Sequence, residues 1–159
     1  MNTGTEAGAN ASTGRRPVHD GLFGENERGN AFLLGGRCDA CDRVQCPMAS
    51  TCPACGAATI TEVHLSDHGT LWGWTAVTAP PPGYLGDVPF GFGVVELPEG
   101  LRVITLLSES DPAGLSFGMP MRLVITDLGP DPDSEGNPEG EIVTTYAFTP
   151  ELPRVEAAP

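Results

Sequence analysis

The spacing of apolar residues changes character near residue 59. Beyond it, apolar side chains tend to recur at every second position, the mark of strands with one buried face. Residues 59–65 alternate weakly, and 69–78, rich in Trp, Thr and Val, predict a strand that stops at Ala79-Pro80-Pro81-Pro82-Gly83. Residues 90–97 and 101–107 flank Pro98-Glu99-Gly100, which predicts a hairpin. Asp111 followed by Pro112 predicts a short helical turn with the aspartate as its cap. Residues 121–128 and 141–148 complete the strands, and 130–140, dominated by Pro, Gly and acids, predict a mobile loop. Before residue 59 the apolar residues come in short clusters. Leu22, Phe23 and Phe32 are separated by Gly21, Gly24 and Gly29, so residues 1–30 are expected to be a disordered leader with at most a helical turn at 19–23. Phe32-Leu33-Leu34 predicts a strand leading into a cysteine-rich stretch, 31–58. The expected fold class is mostly β. Five or six strands within 59–150, with one late helical turn, fit a small closed barrel of the OB type, whose closure removes exposed edges. Residues 151–159 read as a tail.

Cysteine spacing adds chemistry to this outline. Cys38 and Cys41 form one C-x2-C knuckle, Cys52 and Cys55 a second, with ten residues between them. Such paired knuckles can place four thiolates at tetrahedral corners about 2.3 Å from zinc. Gly56 can supply the positive φ that a tight knuckle needs. Two structural disulfides are the competing reading, since spacing does not exclude them. Cys46 stands between the knuckles without an x2 partner and reads either as a small buried hydrophobe or as a rival ligand.

Charge removes one class of function. The formal net charge is −13, there is no lysine, and all eight basic residues are arginine, five of them before the second knuckle. Phosphate backbones are bound by clustered cations, so nucleic acid is a poor partner. No apolar run approaches the ~20 residues of a membrane span, and the first 20 residues lack an apolar signal core. A cytoplasmic, reducing location is expected, which suits free thiolates. His19, His64 and His68 form no motif with a nucleophile, and four cysteines around zinc would leave no open position for water. The chain therefore carries no visible catalytic residues of its own.

Several segments together resemble one family. Leu34-Gly35-Gly36-Arg37-Cys38 leads into the first knuckle, Val44-Gln45-Cys46-Pro47 follows, and Cys52-Pro53-Ala54-Cys55-Gly56 forms the second. Downstream come Gly69-Thr70-Leu71-Trp72-Gly73-Trp74-Thr75, the hairpin from Pro89-Phe90-Gly91 to Leu101-Arg102, Gly118-Met119-Pro120-Met121-Arg122, and Tyr146-Ala147-Phe148-Thr149-Pro150. In this order, over roughly 33–150, they resemble the DUF35 type of zinc-ribbon OB-fold protein. The resemblance implies a rubredoxin-like zinc ribbon followed by an OB-fold barrel. It also implies a small accessory subunit of a thiolase-superfamily enzyme acting on an acyl-CoA thioester, a thiolase or a steroid-type retro-aldolase, in a 2:2 heterotetramer. The chain departs from the family where an aromatic-rich helix usually precedes the first knuckle, and where Cys46 replaces an aromatic.

Candidate contact residues follow. Trp72 and Trp74, two apart on a strand, should share one face, either as core or as a partner surface. The stiff segment carrying Tyr84, Leu85 and Phe90 could dock a partner or fold back on the barrel. Arg102 and Arg122 could meet a CoA phosphate or pair with carboxylates. The rival functions are a free-standing acyl-CoA binding module and a single-stranded nucleic-acid-binding OB protein.

Overall fold

The computed structural model describes residues 14–134 and 140–151. Expectations for residues 1–13, for 135–139 of the 130–140 loop and for the tail from 152 lie outside the described residues. The chain folds into β1 (Arg15–Pro17), β2 (Phe23–Glu25), β3 (Ala31–Cys38), β4 (Val44–Gln45), β5 (Ile60–His64), β6 (His68–Val77), β7 (Phe90–Glu96), β8 (Arg102–Leu107), a single 3-10 turn at Pro112–Gly114, β9 (Pro120–Pro130) and β10 (Ile142–Pro150).

Two sheets result. In the ribbon, β3 pairs antiparallel with β2, β4 and β5. Residues 60–64, expected among the barrel strands with the ribbon ending at 58, belong instead to the ribbon sheet because their edge is taken by β3. In the barrel, β6 pairs with β7, β7 with β8, β8 in parallel with β10, β10 with β9, and β9 back to β6. That ring of five strands is a closed OB-fold barrel. The late helical turn is present as the 3-10 turn, with the Asp111 carboxylate accepting from the Ala113 amide.

The segment before the ribbon differs from the expected leader. Arg15–Pro17 forms a sixth strand outside the barrel, parallel to β10, and Phe23–Glu25 extends the ribbon instead of closing a helical turn. The physical reason lies far along the chain. The first half of β10 has an open edge, where the Val18 amide donates to the Thr144 carbonyl at 2.8 Å and the Ile142 amide to the Gly14 carbonyl at 2.7 Å. Arg15 pairs with Asp127 and Arg16 with Asp131, so two cations hold the strand against acids flanking β10.

Ribbon and barrel share one core. Leu33 of the ribbon and Leu65 just after β5 belong to the same buried cluster as Leu71, Val95, Met121 and Phe148. Fully burying a leucine contributes roughly 1.5–3 kcal/mol, so Leu33 alone ties the ribbon firmly to the barrel. The connection is pinned further by Glu99, whose Oε1 accepts from both the amide and the hydroxyl of Ser66 at 2.7 and 2.8 Å. Phe23 meets Tyr146 edge-on at 6.0 Å.

The inward face of β7 carries glycines because the barrel is narrow there. A Cβ on Gly91 would run into the Glu109 carbonyl and approach Leu107 Cβ at 2.9 Å, whereas one on Gly73 would meet nothing within 4 Å. Gly91→Ala should therefore destabilise the protein by about 1–3 kcal/mol, and Gly73→Ala should stay within about 0.5 kcal/mol of the parent; urea denaturation followed by fluorescence measures both. The Arg16 side chain and the Asp133 amide hold the Asp131 carboxyl below its ordinary value of 3.8. A depressed carboxylate stabilises the fold above the unfolded value and loses that contribution as the pH falls through the folded one. The protection factor of the Val18 amide should therefore fall on acidification below about pH 4 ahead of those of the barrel strands, and Arg16→Ala should produce the same local opening at neutral pH.

Candidate functional site

The two knuckles are built alike. The Asp42 amide donates to the Cys38 carbonyl and the Gly56 amide to the Cys52 carbonyl, each closing a turn five residues long. The Cys38 amide donates to the Arg43 carbonyl and the Cys52 amide to the Ala57 carbonyl, both at 2.8 Å. Both turns pass through left-handed backbone, at Gly56 (φ 75°) and at Asp42 (φ 60°). Glycine takes that conformation without strain and aspartate tolerates it. Asp42 was not singled out from the sequence, although its position four residues after Cys38 matches that of Gly56 after Cys52.

This arrangement brings the four predicted cysteines together. Cys38 and Cys52 are buried, Cys41 and Cys55 exposed, and all four sulfurs lie within 4.8 Å of one another. Cys38 Sγ is 3.6 Å from Cys55 Sγ, and Cys41 Sγ is 3.6 Å from Cys52 Sγ. A tetrahedron with Zn–S bonds near 2.3 Å has edges of about 3.8 Å, so the cage fits zinc. A disulfide needs about 2.05 Å, and all five cysteines are free. The amides of Cys55 and Ala54 draw the Cys52 thiol down to about 6. At Cys41 the Arg43 amide favours the thiolate, but desolvation by the packed knuckles and the sulfurs of Cys55, Cys52 and Cys38 prevail and push it up to about 12. Crowded thiols resist ionising together unless a cation joins them, which is the role a metal fills.

Cys46 lies outside this group. It is half-buried, packs against the core, and places its Sγ 3.7 Å from the Leu34 carbonyl oxygen. Burial pushes its thiol up.

The contact candidates separate into distinct places. A register shift between Leu71 and Gly73 makes Trp72 the extra residue of a bulge, and this overturns the expectation that the two tryptophans share a face. Trp74 packs against the core and donates from Nε1 to the Pro112 carbonyl at 3.2 Å. Trp72 points outward with the Arg102 guanidinium 4.2 Å above its ring, and Arg102 also pairs with Glu96 at 2.9 Å. Tyr84 stacks on Phe90 with centroids 4.4 Å apart, and both rings, like Leu85, are half-buried. Arg122 is exposed on β9, where it pairs in register with His68. Beneath the proline-rich segment lies a cleft of about 430 Å³ lined by Tyr84, Asp87, Phe90, Ser108, Val124 and Asp127, with no basic side chain in its lining among the described residues.

A four-cysteine ribbon sharing its core with an OB barrel defines a particular class of small protein. Residues 33–61 match the family model described as the rubredoxin-like zinc ribbon domain of ChsH2, and 62–126 match that of the ChsH2 C-terminal OB-fold domain. The two matches are consecutive and together take in more than half of the chain, which belongs to this DUF35 family of zinc-ribbon OB-fold proteins. A DUF35 domain-containing scaffold protein of Pyrococcus furiosus is 28% identical over 135 residues, 85% of this chain and 95% of the relative. The benzoylsuccinyl-CoA thiolase subunit BbsA of Thauera aromatica is 33% identical over 76 residues, 48% of this chain and 51% of the relative. Among solved structures, a chain of the Ltp2-ChsH2(DUF35) aldolase superposes with a TM-score of 0.57 at 28% identity, covering 76% of this chain and 86% of that one. The ribbon is thus a structural zinc site by family and by geometry.

Cys38→Ser should abolish the bound zinc, measured by elemental analysis of the purified protein, and expose the ribbon to proteolysis. Cys46→Ser should retain one zinc per chain.

Proposed function

We propose that this protein is a non-catalytic accessory subunit that binds a thiolase-fold partner and helps form or stabilise its acyl-CoA site for carbon–carbon bond cleavage or formation. The observation that carries this reading is the closed four-sulfur cage at the head of an OB barrel, in a chain that aligns over most of its length with the DUF35 chain of an aldolase. Cys38, Cys41, Cys52 and Cys55 are the zinc ligands in this reading, and four protein ligands leave no position for a metal-bound water or substrate. The metal then acts on the fold alone, holding a ribbon too small to bury a core of its own.

The bond-making groups sit in the other polypeptide, as the thiolase-subunit and aldolase names of the relatives suggest. The CoA thioester is a ligand of the complex. The cleft under the proline-rich segment is lined by Asp87 and Asp127 and offers CoA phosphates no counter-charge, while Arg102 is already engaged by Trp72 and Glu96. A two-fold symmetric thiolase-fold dimer would take one copy of this chain on each half, giving a 2:2 assembly. Four reduced thiolates fit a cytoplasmic compartment.

The test is co-expression with each thiolase-fold protein of the same genome. The partner made alone should be insoluble or inactive and should recover acyl-CoA turnover with the zinc-loaded chain. Full activity of the partner in isolation, or turnover of a CoA thioester by this chain alone, would overturn the reading.

A further inference from the structure

We infer that the outer face of β6, β7 and β8 is the surface on which the thiolase-fold partner docks, and that the partner meets it with apolar side chains rimmed by lysine or arginine. This rests on the accessory-subunit reading and adds the place and chemistry of contact.

The face is apolar where a solvated barrel should be polar. Trp72, Phe92, Ile104 and Phe117 are 45%, 39%, 61% and 71% exposed, and the pairing register gathers the first three. Val94 lies opposite Ile104, Phe92 shares its side of β7, and Trp72 bulges out beside Val94 and under Arg102. Phe117 stands on the turn whose Gly118 amide donates to the Leu71 carbonyl, directly before Trp72. Three strands at about 4.8 Å spacing therefore carry a continuous apolar patch, of the kind that marks protein contacts. Trp72 in particular has the character of an interface anchor, being aromatic and already stiffened by Arg102.

Charge selects the occupant. Glu109 and Asp111 follow β8 at one end of the face, while Glu96 at the other end is balanced by Arg102. Arg102, the one cation on the face among the described residues, is neutralised by Glu96. A nucleic acid would bring phosphates to an acidic rim on a chain of net charge −13, and a second copy of this chain would bring the same acids face to face. A basic-rimmed protein surface satisfies both the apolar centre and its border.

The experiment measures binding of the full zinc-loaded chain to the thiolase-fold proteins of the same genome. Ile104→Glu and Phe117→Glu should each weaken binding by at least about tenfold, while Val18→Glu, at an exposed apolar residue beside β10, should bind as the parent does. All three should keep one zinc and the parent's circular dichroism. Raising salt from roughly 50 to 500 mM should slow association. If the parent binds but both glutamate variants bind within about twofold of it, this face is not the contact, and the accessory-subunit reading still stands. If the parent binds no thiolase-fold protein, both fall. A parent that sediments as a dimer, broken by Ile104→Glu, would assign the face to a second copy and overturn the inference.

Discussion

Four thiols confined within 4.8 Å of one another cannot all ionise without a cation to join them, and the rest of the architecture depends on that constraint. Thiolates are what zinc binds, and the backbone has committed both knuckles to holding them, including the left-handed turn at Asp42. The ribbon gives the shared buried core Leu33, and the adjoining segment gives Leu65, too few groups to fold without help. A metal closes the deficit locally. Because Leu33 is buried among barrel residues, the metal also fixes where the barrel's ribbon-facing end meets solvent.

Barrel closure has a complementary consequence. Once five strands form a ring, the buried interior is filled by one face of each, and the outer face is free for other use. Gly91 and Gly93 keep β7 close to Leu107 on the inside, while Phe92 and Val94 between and beside them are turned outward. The bulge at Trp72 strengthens this division by reversing the alternation of β6 for one residue. Trp74 is thereby directed to the core side and Trp72 outward, so two residues of one type two positions apart serve different ends.

What could be read from the chain follows the range of the interactions involved. The knuckles, the hairpin around Pro98-Glu99-Gly100 and the capped turn at Asp111 are local signals, and each appears in place. Five barrel strands followed from period-two alternation, because half-buried strands impose it, but alternation did not tell that 60–64 pairs with β3 of the ribbon. β1 was beyond reach for the opposite reason. Three residues at Arg15–Pro17 become a strand only because Ile142–Thr144 offers an edge and Asp127 and Asp131 offer charge, and no local pattern records an edge more than a hundred residues away. Nor does alternation announce a bulge, so the shared face expected for the two tryptophans was lost to one extra residue. The left-handed Asp42 had a usable signal in its equivalence to Gly56, hidden because aspartate has many other reasons to be in a turn.

The same physics separates this barrel from OB folds that hold single strands of nucleic acid. Those combine exposed aromatic rings with a cationic groove, and each part needs the other: stacking supplies tolerance of sequence and cations supply attraction. Here Trp72 and Phe92 keep the aromatic half on the outer face, but the cationic half is missing. The single arginine above Trp72 is bound to Glu96, and two of the other arginines are spent on the N-terminal strand. An aromatic face stripped of free cations and bordered by acids repels a polyanion at the distance where binding begins, while it still gains from burying apolar area against protein. Exposed rings on an OB barrel are therefore read correctly only together with the charges around them.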